Sequence, residues 1–119
     1  MDQKTFVDRL TSVVLDGLSR DLAENWHHPP GRLRSEDRTR RIAQLNAMSA
    51  PDRELFEEFG QAAARSAVFG MLAVLDGSRA IEDATEGHLE LHHVRNGKAE
   101  LLASSASDTS TLPLHELLP

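Results

Sequence analysis

Histidine is the first side chain here whose chemistry invites a test, with six in 119 residues. His88 and His92 would lie on the same face of a strand. Two-residue periods of about 6.7 Å separate them by about 13 Å, too far to share one metal unless the strand bends. His27 and His28 are adjacent and cannot form the i, i+4 chelating pair of a helix. A composite site from His28, His92 and a carboxylate is conceivable across the fold, with His88 and His92 the metal candidates. The plainer reading is of surface and strand histidines, His93 facing Glu100.

The basic residues cluster instead. Arg32, Arg34, Arg38, Arg40 and Arg41 crowd one short stretch, and guanidinium forks bind phosphate or carboxylate bidentately. Arg34, Arg38 and Arg41 are the anion-contact candidates. Set against this, Glu36 and Asp37 are close enough to neutralise the cluster, and Gly31 stands alone, without a glycine-rich phosphate loop. Nucleophilic catalysis would need a serine beside an ordered histidine and acid. Ser104, Ser105 and His115 are present, but no G-x-S-x-G elbow accompanies them. Leu114-His115-Glu116-Leu117-Leu118 fits an LxxLL docking pattern, although docking on this chain's own core is the simpler role. No cofactor is implied.

Charge carries more information. The net charge is −6, and it is uneven. Residues 1–50 hold seven acids and eight bases, whereas 51–119 hold twelve acids and five bases. The second half would repel a nucleic-acid backbone and attract a basic protein. Glu57, Glu58, Glu82, Asp83 and Glu86 are the candidate partner contacts, within a wider acidic set that includes Asp52, Glu54 and Glu90.

The chain length suits a single domain spanning 1–119. Hydrophobic content of 39% with 27% charged residues is that of a globular protein. Without cysteine, disulfides and thiolate sites are excluded. The start MDQKTFVDRL lacks the pattern of a signal peptide, and the longest apolar run is too short for a membrane span. A cytoplasmic protein without membrane or nucleic-acid partners is the expectation.

Periodicity predicts an α+β fold. Val7, Leu10, Val14, Leu18 and Leu22 mark an amphipathic helix over about 3–25, opened by Thr5 and Asp8 as a capping pair. A second helix, about 35–48, should start at Ser35 with Glu36 and Asp37 in its first turn. A third runs over about 51–76, from Pro51 to an Asp76-Gly77 C-cap. Its stretch Ala67–Leu75 has no polar side chain, which predicts enclosure by other elements. Gly60, Ala63, Ala67 and Gly70 form a strip of small residues suited to close backbone packing, within the chain or in a dimer. Val68, Leu72 and Leu75 face the other way and need a cover.

That cover is predicted to be an antiparallel β-hairpin, about 87–95 and 98–104, turning at Asn96-Gly97, where both positions require positive φ. The pairing expected is Arg95 with Lys98, His93 with Glu100 and Leu91 with Leu102. Residues 104–111 read as a flexible linker to a short C-terminal element, either a third strand or a helical turn.

The layout from LAVLDGSRAIED through LELHHVRNGKAELL to LHELL, residues 67–118, resembles small bacterial proteins encoded near toxins, some of which serve as immunity proteins. The resemblance implies a stoichiometric inhibitor without catalysis, bound over a toxin's active cleft, and assigns no particular residue. The leading expectation is a non-catalytic acidic protein-binding module of immunity or antitoxin type. One alternative is a homodimer assembled through the small-residue strip or the hairpin edge. The other is a small histidine-using metal or ligand-binding enzyme.

Overall fold

The computed structural model describes residues 1–18, 21–22 and 36–119. The predicted role of Arg34, the Ser35 cap and the pair His27 and His28 lie outside them. The elements are α1 (Gln3–Leu10), α2 (Glu36–Asn46), α3 (Ala50–Leu75), β1 (Glu90–Arg95), β2 (Lys98–Ser104) and a 3₁₀ turn at Leu114–Leu117. The fold is α+β, with the hairpin after the helices.

α1 is capped by Asp2, whose Oδ1 accepts the Thr5 N–H at 2.8 Å. The cap therefore sits three residues ahead of the predicted Thr5. Hydrogen bonds from Thr5 also hold the Asp2 carboxyl below its usual range. Beyond Leu10 the chain widens into a π-helical turn, Thr11–Leu15, which interrupts the regular helix predicted over about 3–25; residues 21–22 are helical again, and 23–25 lie outside the described residues. The Thr11 hydroxyl donates to Val7 O at 2.9 Å, and the Asp16 N–H reaches back five residues to Thr11 O. An extra residue in the turn shifts the inward stripe by one. Leu15, not the predicted Val14, is buried with Val7.

α3 begins at Ser49, whose hydroxyl accepts the Asp52 N–H, and ends at Asp76, as its sequence signals require. Its burial departs from expectation. Leu72 and Ala73 are buried, and Ala64, Val68 and Leu75 pack partly against the core. Ala67, Phe69 and Met71 are exposed, so the apolar stretch is covered on one side rather than enclosed. Among the described residues no backbone packs along the small-residue strip: Ala63 and Ala67 are exposed, and a Cβ on Gly60 would meet nothing within 4 Å. The molecule is elongated, 52 × 29 × 29 Å with a radius of gyration of 18.6 Å, against about 13 to 14 Å for a compact chain of this length.

The core joins Val7 and Leu15 from the first helical segment, Leu72 from α3, Ala103 from β2, and Leu114 and Leu118 from the C-terminus. Leu91 packs on the same cluster, so the hairpin and α3 share it. The main cover on this part of α3 comes from the terminal turn and the π turn, while α1 and the hairpin join the same cluster through Val7, Leu91 and Ala103. The LxxLL leucines are consumed here: Leu114 is fully buried and Leu118 nearly so. The C-terminal element is thus a docked turn, and the sheet has two strands. Gln3 ties these parts together, donating through Nε2 to Leu102 O and Leu112 O, each at 2.7 Å, and accepting the Leu112 N–H at 3.2 Å.

In the hairpin, Asn96 and Gly97 both have positive φ, 51° and 74°, the requirement of a type I′ turn. Arg95 pairs with Lys98 and His93 with Glu100 as expected. A bulge between Leu91 and His92 then shifts the register, and Leu91 pairs with Ala103 rather than Leu102. The bulge lets Leu102, Ala103 and Ser104 all be buried, which strict alternation would forbid.

Candidate functional site

Among the described residues Asp76, at the C-cap of α3, is a buried and fully engaged carboxylate. Its side chain is 2% exposed. Oδ1 accepts the Ser78 N–H at 3.1 Å, and Oδ2 accepts both the His115 N–H at 3.2 Å and the His115 Nδ1–H at 2.6 Å. Burial pushes the carboxyl up, but the hydrogen bonds from His115 and Ser78 outweigh it and leave the group below its ordinary value. Phe69 packs edge-on against the His115 ring, with centroids 5.1 Å apart. This arrangement pins the terminal turn to the end of α3. Arg65 adds a second tie, its Nε donating to Pro119 O at 2.8 Å.

Sequence reading missed the Asp76–His115 pair, whose members lie 39 positions apart. One signal was available. A carboxylate at the negative end of a helix dipole is unfavourable, so Asp76 there implies donors brought from elsewhere. An imidazole oriented by an acid is also part of a nucleophilic triad. The two serines considered for that role are engaged separately. Ser105 Oγ accepts the Leu89 N–H at 2.8 Å, and Ser104 Oγ the Ala106 N–H at 3.2 Å. Neither bonds to His115.

Of the metal candidates, His88 and His92 do share a face of the hairpin arm, with Glu90 between them. His88 Nε2 lies 3.0 Å from Glu90 Oε1, and His92 Nε2 lies 2.8 Å from Oε2. These contacts hold the Glu90 carboxyl below its usual range. Among the described residues no group of three metal-ligating side chains is arranged to hold an ion. On the opposite face, the Met1 ammonium lies between His93 Nδ1, at 3.3 Å, and Glu100 Oε2, at 3.0 Å.

The predicted anion contacts Arg38 and Arg41 lie one turn apart on α2, Arg41 exposed and Arg38 half-buried. Their neighbour Arg40 pairs with Asp37, so part of the basic cluster is neutralised locally.

The predicted partner-binding acids fall into two groups. Glu57 and Glu58 are exposed in the first half of α3. They precede Asp76 by 18 or 19 residues, about 27 Å along a helix. Glu82, Asp83 and Glu86 belong to the loop between α3 and β1. There Glu82 and Glu86 line a cleft of about 580 Å³, with Arg79, His88 and Asp108 also on its walls. Neither glutamate has an ion-pair partner among the described residues. Asp83 differs, because its Oδ1 accepts the Thr85 N–H at 2.9 Å and the Thr85 hydroxyl at 2.8 Å. The backbone bond from Thr85, then its hydroxyl, lower the Asp83 carboxyl, which shapes the loop rather than standing free. Gly77 sets the loop's start, with φ +83° and the Ser105 carbonyl oxygen 2.7 Å from where a Cβ would sit.

Among the described residues no helix is long and apolar enough to cross a membrane. No protein-family model matches the chain, and no curated protein or solved structure is significantly similar to it.

Proposed function

We propose that this chain is a cytoplasmic binding protein that acts on a basic protein partner by occupying it, not by catalysis. The observation that supports this reading most is the cleft between residues 77–89 and 105–108, floored by Val74. Among the described residues Glu82 and Glu86 have no ion-pair partner there, although Arg79 stands on the same walls, and Asp108 adds negative charge on the facing side. An inserted lysine or arginine would meet carboxylates already positioned, and the surrounding negative field would speed its approach. Asp83 serves by holding the loop in shape.

The resemblance of residues 67–118 to toxin-associated bacterial proteins makes a basic toxin the partner class we propose, inhibited stoichiometrically. Glu57 and Glu58 form a separate acidic patch, so the two groups are separable by mutation. The test is isothermal titration against the protein encoded beside this chain, which the proposal expects to be basic. Glu82→Gln with Glu86→Gln should weaken binding about two- to thirtyfold, taking about 0.2 to 1 kcal/mol for each of the two exposed pairs. Glu57→Gln with Glu58→Gln should have a smaller effect. Unchanged affinity in the cleft variant would overturn the assignment.

A further inference from the structure

Among the described residues nothing covers the largely apolar side of α3 that is turned away from the core. Leu55, Phe56, Phe59 and Met71 are 66%, 53%, 73% and 62% exposed, with the small residues Gly60, Ala63, Ala67 and Gly70 between and beside them. At 100° per residue these side chains share one broad sector. Glu54, Glu57 and Glu58 fall on the other side of the helix.

We infer that this face binds a second copy of the same chain, with the two α3 helices antiparallel about a two-fold axis at Ala63. The reason is self-complementarity, the requirement of an isologous interface. In an antiparallel pair centred on Ala63, residues whose numbers sum to 126 lie opposite one another. Phe56 then falls opposite Gly70 and Phe59 opposite Ala67, with Ala63 against its own copy and Leu55 and Met71 on the two flanks of the contact. Phe59 meets a small side chain, the large-to-small fit by which helices interdigitate, while Phe56 meets the Arg79 side chain that lies over Gly70.

Charge fits the same register. The Arg79 guanidinium lies over Gly70, its Nη1 3.0 Å from where a Cβ would stand, and it has no ion-pair partner among the described residues. The register brings Phe56 to that spot, with Asp52 one turn away on the same face. Arg79 of each copy would therefore meet an aromatic ring and a carboxylate of the other, once at each end of the interface. This like-with-like pairing favours a second copy over an unrelated apolar partner. At about 200 Å² for a full large side chain, the four residues would contribute about 500 Å² per copy. The total of about 1,000 Å² is at the lower bound for a specific interface, which predicts a reversible, concentration-dependent dimer.

The chain has no cysteine, so single-cysteine variants report the axis directly. Wild type should show a monomer–dimer equilibrium by sedimentation velocity over about 1 to 100 µM, a range set by the modest area. Under mild oxidation Ala63→Cys should crosslink to itself at least tenfold faster than Glu57→Cys on the other side of the helix. Ala63→Glu should abolish the dimer while leaving the circular dichroism and the melting transition unchanged, since Ala63 is exposed in the monomer. Arg79→Asp should weaken dimerisation at least tenfold, and adding Asp52→Arg should restore it. A monomer at every concentration would overturn the inference. So would a dimer in which Ala63→Cys holds no advantage over Glu57→Cys, a result pointing to another surface such as the hairpin edge.

Discussion

Replacing Asp76 with alanine should be among the most damaging single changes to this chain. The carboxylate accepts three hydrogen bonds, from Ser78 N–H, His115 N–H and His115 Nδ1–H. The Ser78 donor is exposed and can turn to water. The two His115 donors are half-buried and lose a charged acceptor. At about 1.5 to 3 kcal/mol for a hydrogen bond to an ionised group, the loss amounts to about 3 to 5 kcal/mol. That is a large share of the about 5 to 15 kcal/mol by which native domains are stable. For a domain of this size it corresponds to a melting point about 10 to 20 °C lower. Urea denaturation followed by circular dichroism gives the free energy, and hydrogen exchange over residues 114–118 shows whether the terminal turn opens first.

The charge has its own signature. Because the Asp76 carboxyl is lowered in the folded state, its contribution is complete above the unfolded value and disappears as pH falls through the folded one. The stability gap between wild type and Asp76→Asn should therefore be widest near neutrality and close on the acid side of the carboxylate range. A cost for Asp76→Ala below about 1 kcal/mol, or a gap to Asp76→Asn independent of pH, would refute the pin.

Two further substitutions follow from the same junction. Gly77→Ala combines positive φ with the Ser105 carbonyl at 2.7 Å; equilibrium denaturation should show a loss of about 2 to 4 kcal/mol. Leu114→Ala empties a fully buried position shared by α1, α3 and the terminal turn. Its cost should be about 2 to 5 kcal/mol, and the melting transition will show whether the LxxLL leucines serve the core.

Much of the architecture was legible because it rests on local chemistry. Ser49 and Pro51 start α3, Asp76-Gly77 stops it, and Asn96-Gly97 closes the hairpin; each acts within a few residues of its own position. What escaped was set by distance or by one-residue slips. The π turn moved burial from Val14 to Leu15, and the bulge moved Leu91 from Leu102 to Ala103. Neither leaves a distinctive residue type behind. The Asp76–His115 contact joins the end of a helix to a terminal turn and has no sequence period to reveal it. The acids Glu57, Glu58, Glu82, Asp83 and Glu86 were identified as one set by charge alone, and only three-dimensional placement divides them. The exposure of Ala67, Phe69 and Met71 on α3 ran against the expectation that the stretch Ala67–Leu75 is enclosed. An apolar stretch states that a surface will be covered, not which chain will cover it.

On the proposed function, the acidic cleft around Glu82 and Glu86 recognises a basic protein. The most direct measurement is the association rate of the wild-type chain with the protein encoded beside it, taken by stopped flow at low and high salt. Electrostatic recognition predicts fast association that slows by about tenfold or more as salt rises, and a shallower dependence in the variant with Glu82→Gln and Glu86→Gln. Association insensitive to salt, or a salt dependence the same in wild type and cleft variant, would contradict it.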